Sequence, residues 1–294
     1  MSIILRSDRL EAAIDLPGQG LNTTVRFDRA GFITEVTLDG VHTFCRREPD
    51  NLDHPCTGGV GLCSEYRLEE AYADAEAGEL FLKPGVGLLR KQDDGPYRHF
   101  VRYPCEPLTV EYQFDVHQAE FVTLPAPHNG FALRHKKVIS LEGNTLSMRM
   151  EVSNEGEKPV YLTEYCHNFI SLGRPTGPDY RLAFPGGING YEPSPYANGE
   201  IAKLDNALYS FNAYSQRASM WMIPGGAVRQ DTGFLWQLSH TQSPLSVTEA
   251  DSFHPAAIAL WAIDDIISPE ICHSFSLDIG KTRTWERKWT FCVS

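Results

Sequence analysis

The chain has 294 residues, of which 42% are hydrophobic and 22% are charged, and its formal net charge is −12. These values are typical of a globular protein that can bury a sizeable core. The acidic balance argues against nucleic acid or an anionic membrane surface as a partner, because like charges repel. The net negative charge does not exclude a small anionic ligand, because a local cluster of basic residues can bind one.

The amino terminus has no signal-peptide character, because its apolar stretch is short and charged residues follow from Arg6 onward. No segment approaches the ~20 apolar residues of a membrane-spanning helix. The 7 cysteines are scattered without a Cys-x-x-Cys pair, which indicates reduced, mostly buried thiols. We therefore expect a cytoplasmic protein with no membrane contact.

Alternation of apolar and polar residues is the dominant pattern along the chain. It runs through Leu108 to Val116, again through Leu146 to Val152, and finally through Trp285 to Val293. Each run predicts a strand of an antiparallel sheet with one buried face. Turn sequences separate the runs, among them Glu142-Gly143-Asn144 and Pro224-Gly225-Gly226. The prediction is an all-β protein.

Helical patterning is weak, and the best candidate is the short stretch Glu69 to Ala77 before Gly78. We expect loops near residues 46–80, 172–206 and 240–256. There is no linker, low-complexity segment or convincing repeat. Residues 1–294 are therefore predicted to form a single domain.

A strand-like run from Leu162 to Phe169 carries His167 near its end. A lone histidine in a strand is more often structural than functional. His167 nevertheless merits attention because imidazole is the side chain that titrates near neutral pH.

A second run, Ile267 to Leu277, places Glu270 directly after Pro269. Ile271, His273 and Phe275 share the predicted packed face, so Glu270 should point to the other side. The commoner meaning of such a residue is a solvated carboxylate at a strand end.

A glycine-rich segment, 58–66, is followed by the locally basic stretch 81–102, which includes Lys83. Neither phosphate-loop motif is present. The glycines are equally compatible with turns and with a binding surface, and the basic residues with a solvated face or an anion contact.

Metal ligation is not predicted. Cys166-His167 and Cys272-His273 are neighbours in strands, so their side chains should point to opposite faces. No His-x-His pair and no Gly-x-Ser-x-Gly elbow occurs. We expect no metal or other cofactor.

These segments together resemble the galactose mutarotase-like superfamily, and within it a bacterial branch of aldose 1-epimerase-like proteins. The matches follow the family's order over nearly the whole chain. The residues that carry the resemblance are Arg26-Phe27-Asp28, Ala30-Gly31, Gly61-Leu62, Glu65-Tyr66, Phe81, Lys83, Gly85-Val86-Gly87, Tyr165, His167-Asn168-Phe169, Gly177-Pro178-Asp179-Tyr180, Pro269-Glu270 and Trp285.

The resemblance implies a β-supersandwich of large antiparallel sheets that holds a sugar on a concave face. It also implies that His167 is the general acid and Glu270 the general base of an anomer-interconverting isomerase. Such a reaction needs an acid and a base that face each other across one sugar, both titrating within reach of neutrality.

Further ligand contacts are expected around this pair. Asn168, Glu65, Lys83 and Arg174 are predicted to position the sugar, with any carboxylate or phosphate on Lys83 or Arg174, and aromatic faces are predicted to stack on the sugar ring. The stacking residues would be Tyr165 and Trp261.

The sequence departs from the family pattern, because the second histidine and the substrate-binding aspartate have no match. This leaves a non-catalytic sugar-binding or regulatory protein as the alternative, and an accessory part of a polysaccharide-cleaving enzyme as a weaker third. The identity of the sugar is open, and so is the assembly state, a homodimer included.

Overall fold

The computed structural model describes residues 2–22, 24–49, 58–188, 201–205, 207–212, 219–228 and 234–294. Within these ranges the chain is built from strands and one short α-helix, α1, at Glu69–Ala73. The strands in chain order are β1 Ser2–Arg6, β2 Leu10–Asp15, β3 Phe32–Leu38, β4 His42–Thr43, β5 Gly61–Arg67, β6 Leu80–Lys83, β7 Gly87–Arg90, β8 Cys105–Pro107, β9 Val110–Phe114, β10 Gln118–Thr123, β11 Leu133–Glu142, β12 Thr145–Asn154, β13 Val160–Phe169, β14 Tyr180–Ala183, β15 Ile201–Lys203, β16 Leu208–Phe211, β17 Ser219–Pro224, β18 Phe234–His240, β19 Leu245–Asp251, β20 Ala257–Ile263, β21 Ile266–Leu277 and β22 Thr282–Val293.

Among the described residues these strands form two large sheets and one small one. The front sheet has the order β1-β2-β3-β5-β13-β21-β20-β17, with β4 beside β3. The back sheet has the order β15-β16-β14-β18-β19-β22-β12-β11-β10-β9, and the small sheet consists of β6, β7 and β8. The pairs at the centre of each sheet are antiparallel. The predicted supersandwich of large antiparallel sheets is confirmed.

The core lies between the front and back sheets and follows from the alternation in the sequence. Leu146, Met148, Met150 and Val152 of β12 are all fully buried, as their shared parity predicts. They belong to one apolar cluster that also contains Leu62 of β5. Burial of such side chains, at roughly 25 cal/mol per Å² of apolar surface, is the main force that holds the two sheets together.

The segment Leu108 to Val116 differs from the prediction. Only Leu108 is buried, while Tyr112, Phe114 and Val116 are at least 46% exposed. The strand itself is β9, at the edge of the back sheet, where β10 is its only partner among the strands that the structure describes. Alternation predicts a strand correctly here, but it does not reveal that an edge strand leaves its apolar face uncovered.

The predicted loops also contain more regular structure than expected. Strand β5 and helix α1 lie within 46–80, β14 and β15 within 172–206, and β19 within 240–256. The helix ends at Ala73, earlier than predicted. Among the described residues, no helix has the length and apolar character needed to cross a bilayer.

A buried cation joins the two sheets behind the middle of the front sheet. The guanidinium of Arg287, on β22, lies 2.7 Å from Glu164 of β13 and 3.2 Å from Glu249 of β19. It also lies 3.1 Å from Asp251 and donates to the carbonyl oxygen of Ile271 on β21 at 2.7 Å. Arg287 is fully buried. It therefore ties β13 and β21 to the back sheet.

Replacing Arg287 with leucine should lower the free energy of unfolding by about 3–5 kcal/mol, because three buried acidic side chains lose the cation that they share. Urea unfolding followed by circular dichroism measures the change. The matched control is Lys288→Met, which removes an exposed partner of Glu286 on the same strand and should cost at most about 1 kcal/mol. Equal stability losses in the two variants would contradict the structural role of Arg287.

Candidate active site

His167 and Glu270 lie next to each other on the outer face of the front sheet. Strands β13 and β21 are antiparallel neighbours, and the pairing of Glu164 with His273 sets a register that places His167 opposite Glu270. The isolated bridge between Ile170 and Ile267 keeps the same register beyond them. Two residues that are remote in sequence thus become cross-strand neighbours.

The imidazole Nε2 of His167 and the carboxylate Oε1 of Glu270 are 3.1 Å apart. This differs from the expectation that they face each other across a sugar, because no pyranose fits between groups in hydrogen-bond contact. The chemistry accommodates the difference. The ring oxygen and the anomeric hydroxyl of a sugar are bonded to the same carbon, so adjacent groups can reach both from one side.

Aromatic rings fix the imidazole on three sides. The Phe169 ring stacks on His167 with centroids 3.9 Å apart, and Trp261 meets it edge-on at 5.0 Å. Phe27 contacts the imidazole edge-on at 6.1 Å. These rings and their neighbours form a small apolar cluster apart from the main core. The surroundings of His167 are therefore poor in water and low in polarity.

Burial shifts the pKa values of both groups toward their neutral forms. The pKa of His167 is lowered well below its ordinary range, by desolvation first and then by the nearby guanidinium of Arg26. Desolvation raises the pKa of Glu270 to about 8, against the opposing effect of Arg26. At neutral pH the pair therefore consists of a neutral imidazole and a protonated carboxyl group, with one exchangeable proton between them.

Glu65, on β5, is the centre of a second buried cluster on the same face. Its carboxylate accepts from Arg26 at 2.8 Å, from Lys83 at 3.1 Å and from the hydroxyl of Tyr165. The guanidinium of Arg67 lies 4.0 Å from it. Burial alone raises the pKa of Glu65, but Lys83, Arg26 and Arg67 outweigh it and hold the pKa well below its usual range.

A cavity of about 390 Å³ opens beside this cluster. Its wall is basic and aromatic, and its lining residues are Arg67, Leu68, Glu69, Tyr72, Ala73, Phe81, Leu82, Lys83, Pro96, Tyr97 and His99. His167 and Glu270 are not part of this wall. Tyr165 links the His167–Glu270 pair to the Glu65 cluster beside the cavity. It precedes His167 by two positions on the same face of β13, and its hydroxyl donates to Glu65. The cavity is large enough for a monosaccharide.

The structure thus brings six of the eight predicted residues together: His167, Glu270, Glu65, Lys83, Tyr165 and Trp261. The two aromatic residues differ from the open stacking platforms that we predicted. Trp261 is only 8% exposed and packs against His167. One face of the Tyr165 ring is covered by the guanidinium of Arg67, 5.3 Å from the ring centroid. Both residues shape the site rather than offer a free ring face.

Asn168 lies on the opposite face of β13, against the prediction that it positions the sugar. Its side-chain amide donates to Glu249 at 3.0 Å and to the carbonyl oxygen of Pro269 at 2.6 Å, and its oxygen accepts from Trp289. Adjacent residues of a strand point to opposite faces, so Asn168 cannot share the face of His167. It anchors the strand from behind.

Arg174 also departs from the prediction. It lies in an exposed turn after β13, where its guanidinium donates to the carbonyl oxygen of Gln242 at 3.3 Å. Its own carbonyl oxygen accepts from Tyr180. These contacts place it with the β14 and β18–β19 segments, apart from the cluster around Glu65.

Five residues of this site were given no role in the sequence-based predictions: Arg26, Arg67, Tyr97, His99 and Ser268. Arg67 and Ser268 had a usable signal, because each is two positions from a selected residue on the same strand face. The other three come from loops, where no periodicity shows which way a side chain points. Only the folded chain brings them to the sheet.

No protein-family model and no curated protein matches the chain. Solved structures do. The Slr1438 protein of Synechocystis sp. superposes with a TM-score of 0.62 at 11% identity, covering 100% of this chain and 96% of that one. A galactose mutarotase-like protein from Lactobacillus casei gives 0.60 at 12%, covering 99% and 100%. The GalM/aldose epimerase homologue of C. elegans gives 0.52 at 12%, covering 100% and 99%.

At such low identity the likeness shows the architecture alone. The chain has the galactose mutarotase-like fold, as the sequence resemblance implied.

Replacing Glu270 with glutamine should make the protein more stable at alkaline pH. The carboxyl group has a pKa of about 8 in the folded chain against an ordinary value of 4.5, so the folded state holds the proton more tightly. Stability must then fall as pH rises from the lower value to the higher one. Glutamine carries no charge and escapes this loss, which we expect to be on the order of a few kcal/mol.

Urea unfolding of both proteins at pH 5.5 and at pH 8.5, roughly the two ends of that window, measures the difference. Glu286→Gln, at a partly exposed position on β22, is the control and should behave like the unmodified chain. An identical pH dependence in the unmodified chain and in Glu270→Gln would show that Glu270 is not destabilised by its surroundings.

Proposed function

We propose that this protein is an aldose 1-epimerase, an isomerase that interconverts the two anomers of a sugar. The observation that carries the proposal is the contact between His167 and Glu270, two buried titratable groups 3.1 Å apart on one sheet face. Buried groups with shifted pKa values beside a cavity are typical of acid–base catalytic sites. The names of the structural relatives point to the same reaction.

The reaction needs two proton transfers. One proton is added to the ring oxygen and one is removed from the anomeric hydroxyl, so the ring bond breaks and an aldehyde forms. Rotation about the first carbon–carbon bond and reclosure give the other anomer, and the protons return. In our assignment His167 donates to the ring oxygen, and Glu270 accepts from the anomeric hydroxyl. Reclosure reverses the roles.

The proton required for opening is already in the pair. At neutral pH it resides on Glu270, whose pKa is raised to about 8 by burial. Its transfer across 3.1 Å to Nε2 of His167 gives an imidazolium beside a carboxylate, which is the acid and base of the reaction. A sugar hydroxyl that donates to Glu270 favours this form, because a carboxylate accepts hydrogen bonds more strongly than a carboxyl group does.

The surroundings of the cavity favour a sugar with an anionic substituent. Three cations, Arg26, Arg67 and Lys83, surround the single carboxylate of Glu65. Arg67 lines the cavity and its side chain is 46% exposed, so its guanidinium can meet a ligand carboxylate or phosphate. Glu69 also lines the cavity, but on its exposed rim.

One observation favours a sugar-binding protein without catalytic activity. His167 and Glu270 are only 3% and 5% exposed and do not line the cavity, so a ligand must displace other groups to reach them. A binding protein would show saturable calorimetric binding while anomer exchange stays at the solvent rate. The next experiment separates the two functions.

Anomer exchange measured by NMR magnetisation transfer over a panel of aldoses, uronic acids and aldose phosphates tests the proposal. We expect at least one sugar to exchange faster than in buffer. His167→Ala and Glu270→Gln should each lose roughly 10²–10⁴-fold in kcat, the usual contribution of acid–base groups. His42→Ala, on the short edge strand β4, is the matched control and should keep full activity.

The same assay gives a pH dependence with a definite sign. The active pair carries one proton, and raising the pH through about 8 removes it from Glu270, so the rate should fall on the alkaline side. Buffer-level exchange for every sugar, or full activity in His167→Ala, would overturn the epimerase proposal.

Arg67→Met tests the anionic substituent separately. If Arg67 pairs with a ligand carboxylate or phosphate, KM for the charged sugar should rise roughly tenfold or more, which matches the strength of a charged hydrogen bond. KM for an uncharged aldose should change little. Arg149→Met, on the exposed side of β12, is the matched control. A wild-type preference for uncharged sugars, or an equal rise in KM for both classes, would contradict the anion contact.

A further inference from the structure

Ser268 lies beside His167 and Glu270, on the same strand face as Glu270, and contacts both of them. Its Oγ is 3.0 Å from Nδ1 of His167 and 3.5 Å from Oε1 of Glu270. The backbone amide of Asn168 donates to the same oxygen at 2.9 Å. Ser268 is fully buried. No other side chain of the described residues is within hydrogen-bond distance of both groups.

The local sequence explains how this contact arises. Continuous pairing of β13 with β21 stops at Glu164 opposite His273, and a single bridge from Ile170 to Ile267 resumes it. Pro269 lies within the gap and has no amide hydrogen for a ladder bond. The carbonyl oxygen of Pro269 accepts from the side-chain amide of Asn168, and the backbone amide of Asn168 donates to the hydroxyl of Ser268.

The three contacts of the Ser268 hydroxyl indicate where it donates its hydrogen and where it accepts one. A serine hydroxyl has one hydrogen to donate and two lone pairs that accept. The Asn168 amide fills one lone pair, and the remaining contacts are an acceptor for the hydrogen, Glu270, and a partner for the second lone pair, His167. Each is satisfied when Nδ1 of His167 carries the hydrogen. In the opposite arrangement Ser268 donates to Nδ1, and its 3.5 Å contact to Glu270 has a hydrogen only if the carboxyl proton of Glu270 turns away from Nε2 toward Ser268.

We propose that Ser268 is a positioning residue that holds the neutral imidazole of His167 in its Nδ1–H form and leaves Nε2 to exchange a proton. The inference rests on the proposed function and adds a residue to it. The proton moves between Oε1 of Glu270 and Nε2, and then to the ring oxygen of the sugar. Ser268 neither gains nor loses a proton. It keeps Nδ1 hydrogen-bonded in the imidazole and in the imidazolium, and its own hydrogen stabilises the carboxylate of Glu270.

The form of the ring can be measured without any substrate. Long-range ¹H–¹⁵N correlation spectra of protein labelled in histidine distinguish protonated from bare ring nitrogens, and the His167→Ala spectrum identifies the signals of His167. We expect Nδ1 to carry a hydrogen at neutral pH. A bare Nδ1 with a hydrogen on Nε2 would overturn the proposal. This measurement needs no turnover, so it tests the role of Ser268 separately from the epimerase activity.

Kinetics of substituted proteins supply the second test. Ser268→Ala should lower kcat by roughly 10- to 100-fold, within the range of acid–base catalysis, and leave KM within about twofold. The alkaline limb of the pH–rate profile of Ser268→Ala should move to higher pH. The carboxylate of Glu270 loses a hydrogen-bond donor in this variant, which raises the pKa of Glu270 further. Ser268→Thr keeps the hydroxyl and should restore most of kcat.

The matched control is Ser274→Ala, which removes a hydroxyl from the same strand face, where Ser274 bonds to Thr163 at 2.8 Å. It should keep kcat and the pH profile unchanged. An unchanged kcat and alkaline limb in Ser268→Ala would overturn the proposal. If Ser268→Ala does not fold, the spectrum of the unmodified protein still decides the question.

Discussion

The antiparallel register of β13 and β21 is the constraint on which the candidate site depends. It places His167 opposite Glu270, and both fall on the outer face because the side-chain period of a strand is two. A shift of one residue in this pairing would put His167 and Glu270 on opposite faces of the sheet, because residues directly opposite each other share a face. The site is therefore a property of the pairing of two strands more than of either sequence segment.

Buried polar groups on the inner face keep that register in place. Asn168 and Glu164 alternate with His167 along β13, and they are held by Glu249 and Arg287 from the back sheet. Apolar packing alone tolerates sliding, whereas each of these hydrogen bonds has a fixed partner and a high cost when broken. The polar groups inside the sandwich thus specify the alignment of His167 and Glu270 outside it.

The sequence predicts the strands, the alternation and the two residues of the proposed acid–base pair, because these are local patterns or motif matches. It predicts less well which side chains are covered by neighbouring parts of the structure. Tyr112 has the parity of a core residue but lies exposed on an edge strand. Asn168 is predicted to position the sugar, although its parity relative to His167 places it on the opposite face. Arg26 and His99 reach the site from loops, and only long-range packing determines where loop side chains go.

Two glutamate side chains lie on the strands that flank β13, and their charge states differ: Glu65 is ionised and Glu270 is neutral near pH 7. Glu65 on β5 has three cations around it, so burial is outweighed and its pKa lies well below the ordinary range. Glu270 on β21 has an imidazole and a hydroxyl as its close partners, so burial prevails and its pKa rises to about 8. The same residue type is thus a fixed negative charge on one side and, in the proposed mechanism, a proton carrier on the other. Of the cations around Glu65, Arg67 and Lys83 also line the cavity, whereas burial dominates the pKa values of His167 and Glu270 and keeps both groups neutral near pH 7.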